Sequence, residues 1–156
     1  MTIEILNQPA EKMSEIDQTF DLVYMDPPFG LQRDFTMLEE DGKEKSFSDH
    51  WDSFDDYIDW YANIITLAYD RLNDNGWIYL HNNFIGNALV LSKLDSKIRD
   101  SFYTNISWKR SGPKNNIKNG WGNIVDSIMV LQKGKPYFDC LLYTSDAADE
   151  RSSVDL

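Results

Sequence analysis

Cysteine, histidine and long apolar runs are scarce in this chain of 156 residues. Cys140 is the only cysteine, which excludes an intrachain disulfide framework and a cysteine metal site. His50 and His81 are the only histidines, and neither has a partner at the spacing of metal ligands. No apolar run approaches the roughly 20 residues of a membrane span, and a signal peptide's basic-then-apolar pattern is missing. We therefore expect a cytoplasmic protein with no metal site and no membrane segment.

Acidic side chains outnumber basic ones, and the two signs are unevenly distributed. The net charge of −11 taken alone argues against a nucleic-acid partner. Residues 34–74 contain 12 acidic and 3 basic side chains (−9), whereas residues 93–135 contain 9 basic and 3 acidic ones (+6). This asymmetry is compatible with one surface that faces a polyanion, or with two solvated surfaces of opposite charge.

Residues 21–30, DLVYMDPPFG, are the segment around which the chain is organised. Residues 22–25 are all apolar, which predicts a short strand covered on both faces, as in a parallel sheet between helices. Pro27 and Pro28 lack an N–H, so the strand ends there, and the proline after Asp26 keeps that residue extended. We expect the Asp26 carboxylate at the carboxyl end of a buried strand, where α/β sheets bind ligands.

A carboxylate, a carbonyl and an aromatic ring next to one another suit a nucleobase. The Asp26 carboxylate and the Pro27 carbonyl are two acceptors, which match the two hydrogens of an exocyclic amine. Phe29 can stack on the ring that carries this amine, as required for a base taken out of its helix. The alternative is that Asp-Pro-Pro is only a rigid surface turn.

Residues 21–29 resemble the catalytic motif of S-adenosylmethionine-dependent DNA amino-methyltransferases. More narrowly, they resemble the permuted (beta) group, which includes type III modification subunits and adenine-N6 enzymes. The likeness covers roughly residues 20–138 and continues in family order through residues 51–60, 75–82, 106–111 and 126–133. It implies an α/β fold, namely a partial Rossmann-like methyltransferase sheet with flanking helices.

The implied activity is methyl transfer from S-adenosyl-L-methionine to the N6 amino group of adenine in double-stranded DNA. In this interpretation Asp26 and the Pro27 carbonyl hold the amine, Phe29 stacks on the base, and Pro28 keeps the turn rigid. Asp26 and His81 are expected to contact the cofactor. His81, Asn82 and Asn83 follow a second predicted strand and should lie beside Asp26, so His81 is a pocket residue there or only a neighbour of a helix cap. A restriction subunit or a second copy of the chain is a possible protein partner.

Other activities fit the same motif. Transfer to cytosine N4 uses the same geometry, although that branch more often has Ser at the position of Asp26. Methylation of RNA or of protein amides is conceivable. The chain can also be a catalytically inactive DNA-binding fragment, or a truncated product without a role.

Hydrophobic periodicity predicts an alternation of strands and helices, which is typical of a doubly wound sheet. A capping box at Ser53 and Asp56 opens the clearest helix, whose apolar stripe runs to Leu72 and which Gly76 should end. The charged segment 30–52 is expected to be a flap over the base pocket, or surface disorder. The remaining predicted elements are a strand at 2–6, a helix at 9–16, strands at 77–80, 102–108 and 127–131, and a helix at 84–98.

Residues 109–122 form a basic segment rich in asparagine and glycine. Such a composition suits a loop that contacts phosphates and bases, although it can also be a basic loop without a ligand. The residues expected to contact DNA are Lys109, Arg110, Lys114, Asn115 and Lys118.

The end of the chain differs from the rest in composition. Residues 142–156 are rich in Ser, Ala and Asp and resemble a translated adapter sequence, so we expect a non-native or disordered tail. Residues 1–141 are then the catalytic, target-base half of a methyltransferase domain. The permuted group's Phe-x-Gly-x-Gly-like cofactor turn does not occur, and Asn7 and Gln8 replace its Gly-Asp pair. We expect this chain alone to bind S-adenosyl-L-methionine weakly or not at all.

Overall fold

The computed structural model describes residues 3–38, 42, 44–111, 119 and 122–139, excluding the side chains of 37, 38, 45 and 47. A 3-10 helix at Ala10–Glu15 precedes the first strand. The strands are β1 (Phe20–Met25), β2 (Arg33–Leu38), β3 (Glu44–Asp49), β4 (Leu72–Asn82), β5 (Phe102–Lys109) and β6 (Val125–Lys133). The α-helices are α1 (Phe54–Asp70), α2 (Phe84–Lys93) and α3 (Ser96–Arg99). None of the helices in these ranges combines the length and apolar character that crossing a bilayer requires.

Four strands form one sheet in the order β1-β4-β6-β5. β1 and β4 are parallel, with Val23 opposite Ile78 and Met25 opposite Leu80. β6 is antiparallel to both β4 and β5, so the sheet is mixed. The α/β class with flanking helices is confirmed. The expected parallel sheet is wrong outside the β1–β4 pair, because β5 and β6 run antiparallel to each other.

The core lies between α1 and one face of the sheet. Helix α1 begins after Ser53, whose Oγ accepts a hydrogen bond from the Asp56 amide at 3.1 Å, as the capping box predicted. The apolar stripe of α1 is buried against alternate strand residues, as is usual where a helix packs on a sheet. The core side chains of α1 and the sheet are Met25, Tyr57, Ile58, Tyr61, Ile64, Ile65, Ala68, Tyr69, Leu72, Ile78, Leu80, Met129 and Leu131.

Strand β1 is not covered on both faces, contrary to the expectation. It is an edge strand, and its side chains alternate between the two faces of the sheet. Val23 and Met25 pack on the core, whereas Leu22 and Tyr24 are 56% and 50% exposed. Among the described residues, the apolar run at 22–25 therefore belongs to a strand that is covered on one face only.

Residues 30–52 contain a hairpin rather than a loop without structure. β2 and β3 pair antiparallel as a separate two-stranded sheet, with Arg33 opposite Asp49 and Phe35 opposite Phe47. Sequence periodicity failed to show this hairpin because both strands carry many charged and polar side chains. Its position next to the end of β1 is compatible with the expected flap.

Three other predicted boundaries differ from the structure. Residues 3–6 form no strand, and the helix predicted at 9–16 is the 3-10 helix. β4 begins at Leu72, so Gly76 lies inside a strand; a Cβ there would lie 2.7 Å from Leu72 Cδ1. The helix predicted at 84–98 is divided into α2 and α3, because Asp95 caps a new helix by accepting from the Ile98 amide at 3.0 Å.

Candidate active site

Asp26 directly follows the last residue of β1, and its carboxylate is 56% exposed. Because β1 and β4 are parallel neighbours, their carboxyl ends bring Asp26 next to His81. The Asp26 Oδ1 atom lies 3.2 Å from His81 Nδ1, and the Tyr24 hydroxyl lies 3.0 Å from the same nitrogen. Burial, and secondarily the Asp26 charge, raise the pKa of the Tyr24 hydroxyl, which keeps it protonated at neutral pH.

The His81 imidazole lies between two carboxylates. Its Nε2 atom is 3.6 Å from Asp126 Oδ2, and within the described ranges this buried nitrogen has no hydrogen-bond partner. The ring stacks on Trp108 with centroids 5.4 Å apart and meets Phe29 edge-on at 5.5 Å. The rings of Trp108 and Phe29 therefore restrain the His81 ring, while Nδ1 lies near the Asp26 carboxylate and Nε2 near the Asp126 carboxylate.

Two side chains fix the backbone that follows the prolines; residues 26–31 are called the Asp26 turn below. Asn83 Nδ2 donates to the Phe29 carbonyl at 3.1 Å, while Asn83 Oδ1 caps α2 by accepting from the Gly86 amide at 2.7 Å. The turn is thereby attached to the start of α2, and α2 rests on the core through Val90.

Asp49, at the end of β3, is the second support of the Asp26 turn. Its carboxylate is fully buried and accepts from the amides of Gly30 at 3.0 Å and Leu31 at 2.8 Å. The Trp51 indole N–H donates to it at 3.0 Å. Three donors satisfy this buried charge, so the hairpin and the Asp26 turn are joined into one unit.

Two cavities meet at Asp26 and Phe29. The first cavity has a volume of about 370 Å³ and is lined by Asp26, Pro27, Pro28, Phe29, Leu31, Arg33 and Phe35. The second cavity has a volume of about 610 Å³ and is lined by Asp26, Phe29, His81, Trp108, Lys109, Arg110, Ser111 and Asp126. The first is mainly apolar, whereas polar and apolar groups line the second in similar proportion, so the shared carboxylate lies between two different environments.

Buried polar side chains support the site from beneath. Asn82 Nδ2 donates to the Tyr57 hydroxyl, and the Tyr61 hydroxyl donates to Asn87 Oδ1 at 3.2 Å. Asn87 Nδ2 in turn donates to the carbonyl and hydroxyl of Ser127 at 3.2 and 3.1 Å. Burial raises the pKa of Tyr57 to about 12, and it raises the pKa of Tyr61 further, so both hydroxyls remain neutral at physiological pH.

The structure brings together most of the predicted site residues that it describes. Asp26, Phe29, His81, Lys109 and Arg110 line the second cavity, and Pro27 and Pro28 line the first. Arg110 Nη1 forms an ion pair with Asp126 Oδ2 at 3.0 Å. Lys114, Asn115, Lys118 and the tail lie outside the described residues.

Sequence reasoning placed Asn83 beside Asp26, after the second predicted strand, but it did not identify Asp49. Asn83 precedes a helix pattern and follows a strand pattern, which is the position of an N-cap, so a signal was present. No local sequence pattern indicated Asp49, because its partners Gly30 and Leu31 lie 19 and 18 residues away in the sequence, across a charged segment.

The second cavity has groups that suit S-adenosyl-L-methionine. The carboxylates of Asp26 and Asp126 match its cationic groups, and the Trp108 ring offers a face for its purine. The buried Nε2 of His81, without a hydrogen-bond partner among the described residues, is a further polar atom for a ligand. No group of His, Cys, Asp and Glu side chains within the described ranges is arranged to hold a metal ion.

The chain is similar to known DNA methyltransferases. The family model for DNA methylases (N6_N4_Mtase) matches residues 20–155. The Type II methyltransferase M.EcaI of Enterobacter cloacae is 29% identical over 120 residues, which are 74% of this chain and 25% of that protein. The chain thus spans about a quarter of the length of this curated relative.

Solved structures of M1.HpyAVI are also similar. Its complex with SAM aligns with a TM-score of 0.47 and 14% identity, and covers 83% of this chain and 52% of that one. The crystal structure titled M1.HpyAVI alone aligns with a TM-score of 0.46 at the same identity and coverage.

Proposed function

The chain belongs to the DNA methylase family, and from this premise we propose that it holds the target adenine of a DNA adenine-N6 methyltransferase. The donor is S-adenosyl-L-methionine. Within the family we assign the chain to the permuted (beta) group with the type III modification subunits, on the residues that carry that resemblance. Residues 1–141 form the target-base half in this proposal, and residues 142–156 form a tail that takes no part.

One observation carries the proposal: Asp26 and Phe29 line both cavities. An amine held at Asp26 therefore faces the mainly apolar first cavity on one side and, on the other, the second cavity, whose lining is partly polar and partly apolar. The walls formed by Pro27, Pro28 and Phe35 suit the flat face of a base. The volume of about 370 Å³ lies within the roughly 300–1,000 Å³ of ligand pockets and exceeds what a single base requires.

The chain's own residues then do the following work. The Asp26 carboxylate and the Pro27 carbonyl accept the two amine hydrogens, which draws the nitrogen lone pair out of conjugation with the ring. His81 orients the carboxylate, since its Nδ1 atom lies 3.2 Å from Asp26 Oδ1, and the Tyr24 hydroxyl lies 3.0 Å from the same nitrogen. When bound, S-adenosyl-L-methionine supplies a methyl group activated by a sulfonium. The Asp26 carboxylate would accept the amine proton that methylation of the nitrogen releases, and would pass it to solvent.

Positioning accounts for most of the expected rate enhancement, because the transfer requires no covalent protein intermediate. The Asp26 turn is fixed for this task by Asn83 at the Phe29 carbonyl and by Asp49 at the Gly30 and Leu31 amides. We assign Asp26 and His81 to the cofactor as well, since both line the second cavity.

Double-stranded DNA is the proposed substrate. Lys109 and Arg110 lie at the rim of the second cavity, and we assign phosphate contacts to them and to Lys114, Asn115 and Lys118. The proposal includes a cytoplasmic location, and a restriction subunit or a second copy of the chain as a protein partner.

Cytosine N4 is the second candidate acceptor, because the matched family includes both N6 and N4 enzymes. Its exocyclic amine has the same two hydrogens, and the same pair of acceptors fits it. We favour adenine because position 26 is Asp, whereas the N4 branch more often has Ser there. A fragment that binds DNA without catalysis is the remaining alternative.

Binding to three duplexes tests the proposal without requiring turnover. The duplexes contain one adenine opposite an abasic site, one cytosine opposite an abasic site, or full pairing. We expect the adenine duplex to bind most tightly, and Asp26→Ala to lose that preference by about tenfold, the usual scale for a hydrogen bond to a charged group. The control is Asp17→Ala, an exposed carboxylate outside both cavities. Tightest binding of the cytosine duplex would favour N4, and an Asp26→Ala protein that kept the preference would contradict the base pocket.

A further inference from the structure

Among the described residues that line the first cavity, Arg33 is the one cation. Its guanidinium carbon lies over the Phe35 ring, 4.5 Å from the ring centroid. Such a contact restrains the long side chain while its N–H groups stay available at the edge of the guanidinium plane. The cavity therefore has a restrained, charged donor beside an apolar floor.

The nearest acid by strand pairing does not neutralise this cation. Asp49 is opposite Arg33 in the hairpin, but its oxygens accept from Gly30, Leu31 and Trp51 instead. No carboxylate within the described ranges lies at ion-pair distance from Arg33. A fork of N–H donors in this state matches the oxygens of a phosphate.

The sequence that follows Arg33 is acidic, so a cation at the first cavity favours the binding of an anionic ligand there. Residues 34–74 carry a net charge of −9, and negative charge disfavours a polyanion. A base inside the cavity brings its own sugar and two flanking phosphates to the rim. One cation at that rim offsets the repulsion where the nucleotide enters.

From these contacts we infer that Arg33 binds a backbone phosphate that flanks the base held in the first cavity. The inference rests on the proposed function. It adds Arg33, on the hairpin, as a second residue that positions the nucleotide, in addition to Asp26. Asp26 holds the amine of the nucleotide, and Arg33 holds its phosphate, so the base is fixed at two ends. Asp49 joins the two supports, because it attaches the hairpin that carries Arg33 to the Asp26 turn.

The test is binding of the adenine-over-abasic duplex, with either flanking phosphate replaced by a neutral methylphosphonate. For the wild-type chain, one of the two replacements should weaken binding about tenfold. For Arg33→Gln, binding to the unmodified duplex should be weaker by a similar factor. The methylphosphonate that weakens wild-type binding should then have no further effect on this variant. The slope of log K against log salt should fall by about 0.9, the value for one phosphate contact.

Two further variants separate charge from shape. Arg33→Lys keeps the charge and should keep the salt slope while losing part of the affinity, because Lys lacks the bidentate fork. Arg99→Gln removes an exposed arginine outside both cavities and should change neither quantity. Unfolding midpoints of all variants should agree, since Arg33 is exposed.

The possible failures are distinguishable. If the wild-type chain shows no preference for the adenine duplex, the proposed function and this inference are both overturned. If the preference is present and depends on Asp26, but both methylphosphonates weaken wild type and Arg33→Gln equally, only the inference about Arg33 is overturned.

Discussion

The Asp26 carboxylate lies 3.2 Å from Nδ1 of His81, although 55 positions of the sequence separate the two residues. The contact exists because β1 and β4 are parallel neighbours and both end at the same edge of the sheet. It joins the acid that we assign to the target amine with the imidazole that lines the second cavity. The geometry of that edge is the basis of the following predictions.

Asp49→Asn should destabilise the fold through the Asp26 turn. An amide has only one acceptor oxygen, and its NH₂ group would face backbone donors that now bind a carboxylate. A buried unsatisfied donor costs about 1–3 kcal/mol, so the urea midpoint should fall accordingly. Asp34→Asn is the control, because that carboxylate is 64% exposed in the same hairpin. Equal midpoints for the two variants would show that Asp49 does not support the turn.

Asn83→Asp should separate capping from positioning. Aspartate retains the acceptor for the Gly86 amide and suits a helix N-terminus, so stability should change by less than about 1 kcal/mol. It has no N–H to donate to the Phe29 carbonyl, so preference for the adenine-over-abasic duplex should fall. Asn83→Ala should lose both stability and preference. An Asn83→Asp protein with full preference would remove the Phe29 contact from the account.

Gly30→Ala should cost more than Gly42→Ala. Both glycines have positive φ angles, +66° and +80°, so each replacement carries about 1–2 kcal/mol of backbone strain. At Gly30 the new Cβ would also lie 2.7 Å from Tyr57 Cδ1 and 2.9 Å from Phe54 Cε2, whereas at Gly42 no atom of the described residues lies within 4 Å. We expect an additional loss of about 1–3 kcal/mol, measured by thermal unfolding. Equal melting temperatures would contradict the packing described for this turn.

Tyr57 should make the fold sensitive to alkaline pH. Burial raises its pKa from 10.0 to about 12, so the folded chain binds more protons than the unfolded chain between these values. The stability that Tyr57 contributes is complete below pH 10 and declines as pH rises to 12, by about 3 kcal/mol. In Tyr57→Phe the loss of folding stability between pH 10 and 12 should be smaller than in wild type by this amount. Tyr137→Phe, a change at an exposed tyrosine, should behave as wild type. Identical pH profiles for Tyr57→Phe and wild type would refute this assignment.

The proximity of Asp26 and His81 was easier to predict from the sequence than the directions of the strands around them. Asp26 and His81 were assigned to neighbouring strand ends from two short apolar runs, and the structure places them in contact. The stripe of α1 and its cap at Ser53 were also predicted, because periodicity and capping act within a few residues of one another. Local patterns of this kind can be read directly from one sequence.

Features that depend on distant pairing were not predictable in this way. The antiparallel direction of β6 and the edge position of β1 are set by which strands pair, and no residue near either strand encodes that choice. The hairpin β2–β3 was missed because its strands are rich in charge, and it is fixed through Asp49 at the other end of a long segment. Arg33 acquires its position in the first cavity only through this hairpin.

Photocrosslinking from a target base tests the central claim most directly. A duplex with 8-azidoadenine, which keeps the N6 amine, opposite an abasic site is irradiated with the chain, and the crosslinked peptide is identified by mass spectrometry. We expect attachment at Phe29 in wild type, and much less of it in Asp26→Ala, since the carboxylate no longer holds the base against the ring. Crosslinks confined to residues outside both cavities, and unchanged in Asp26→Ala, would contradict a base pocket at the end of β1.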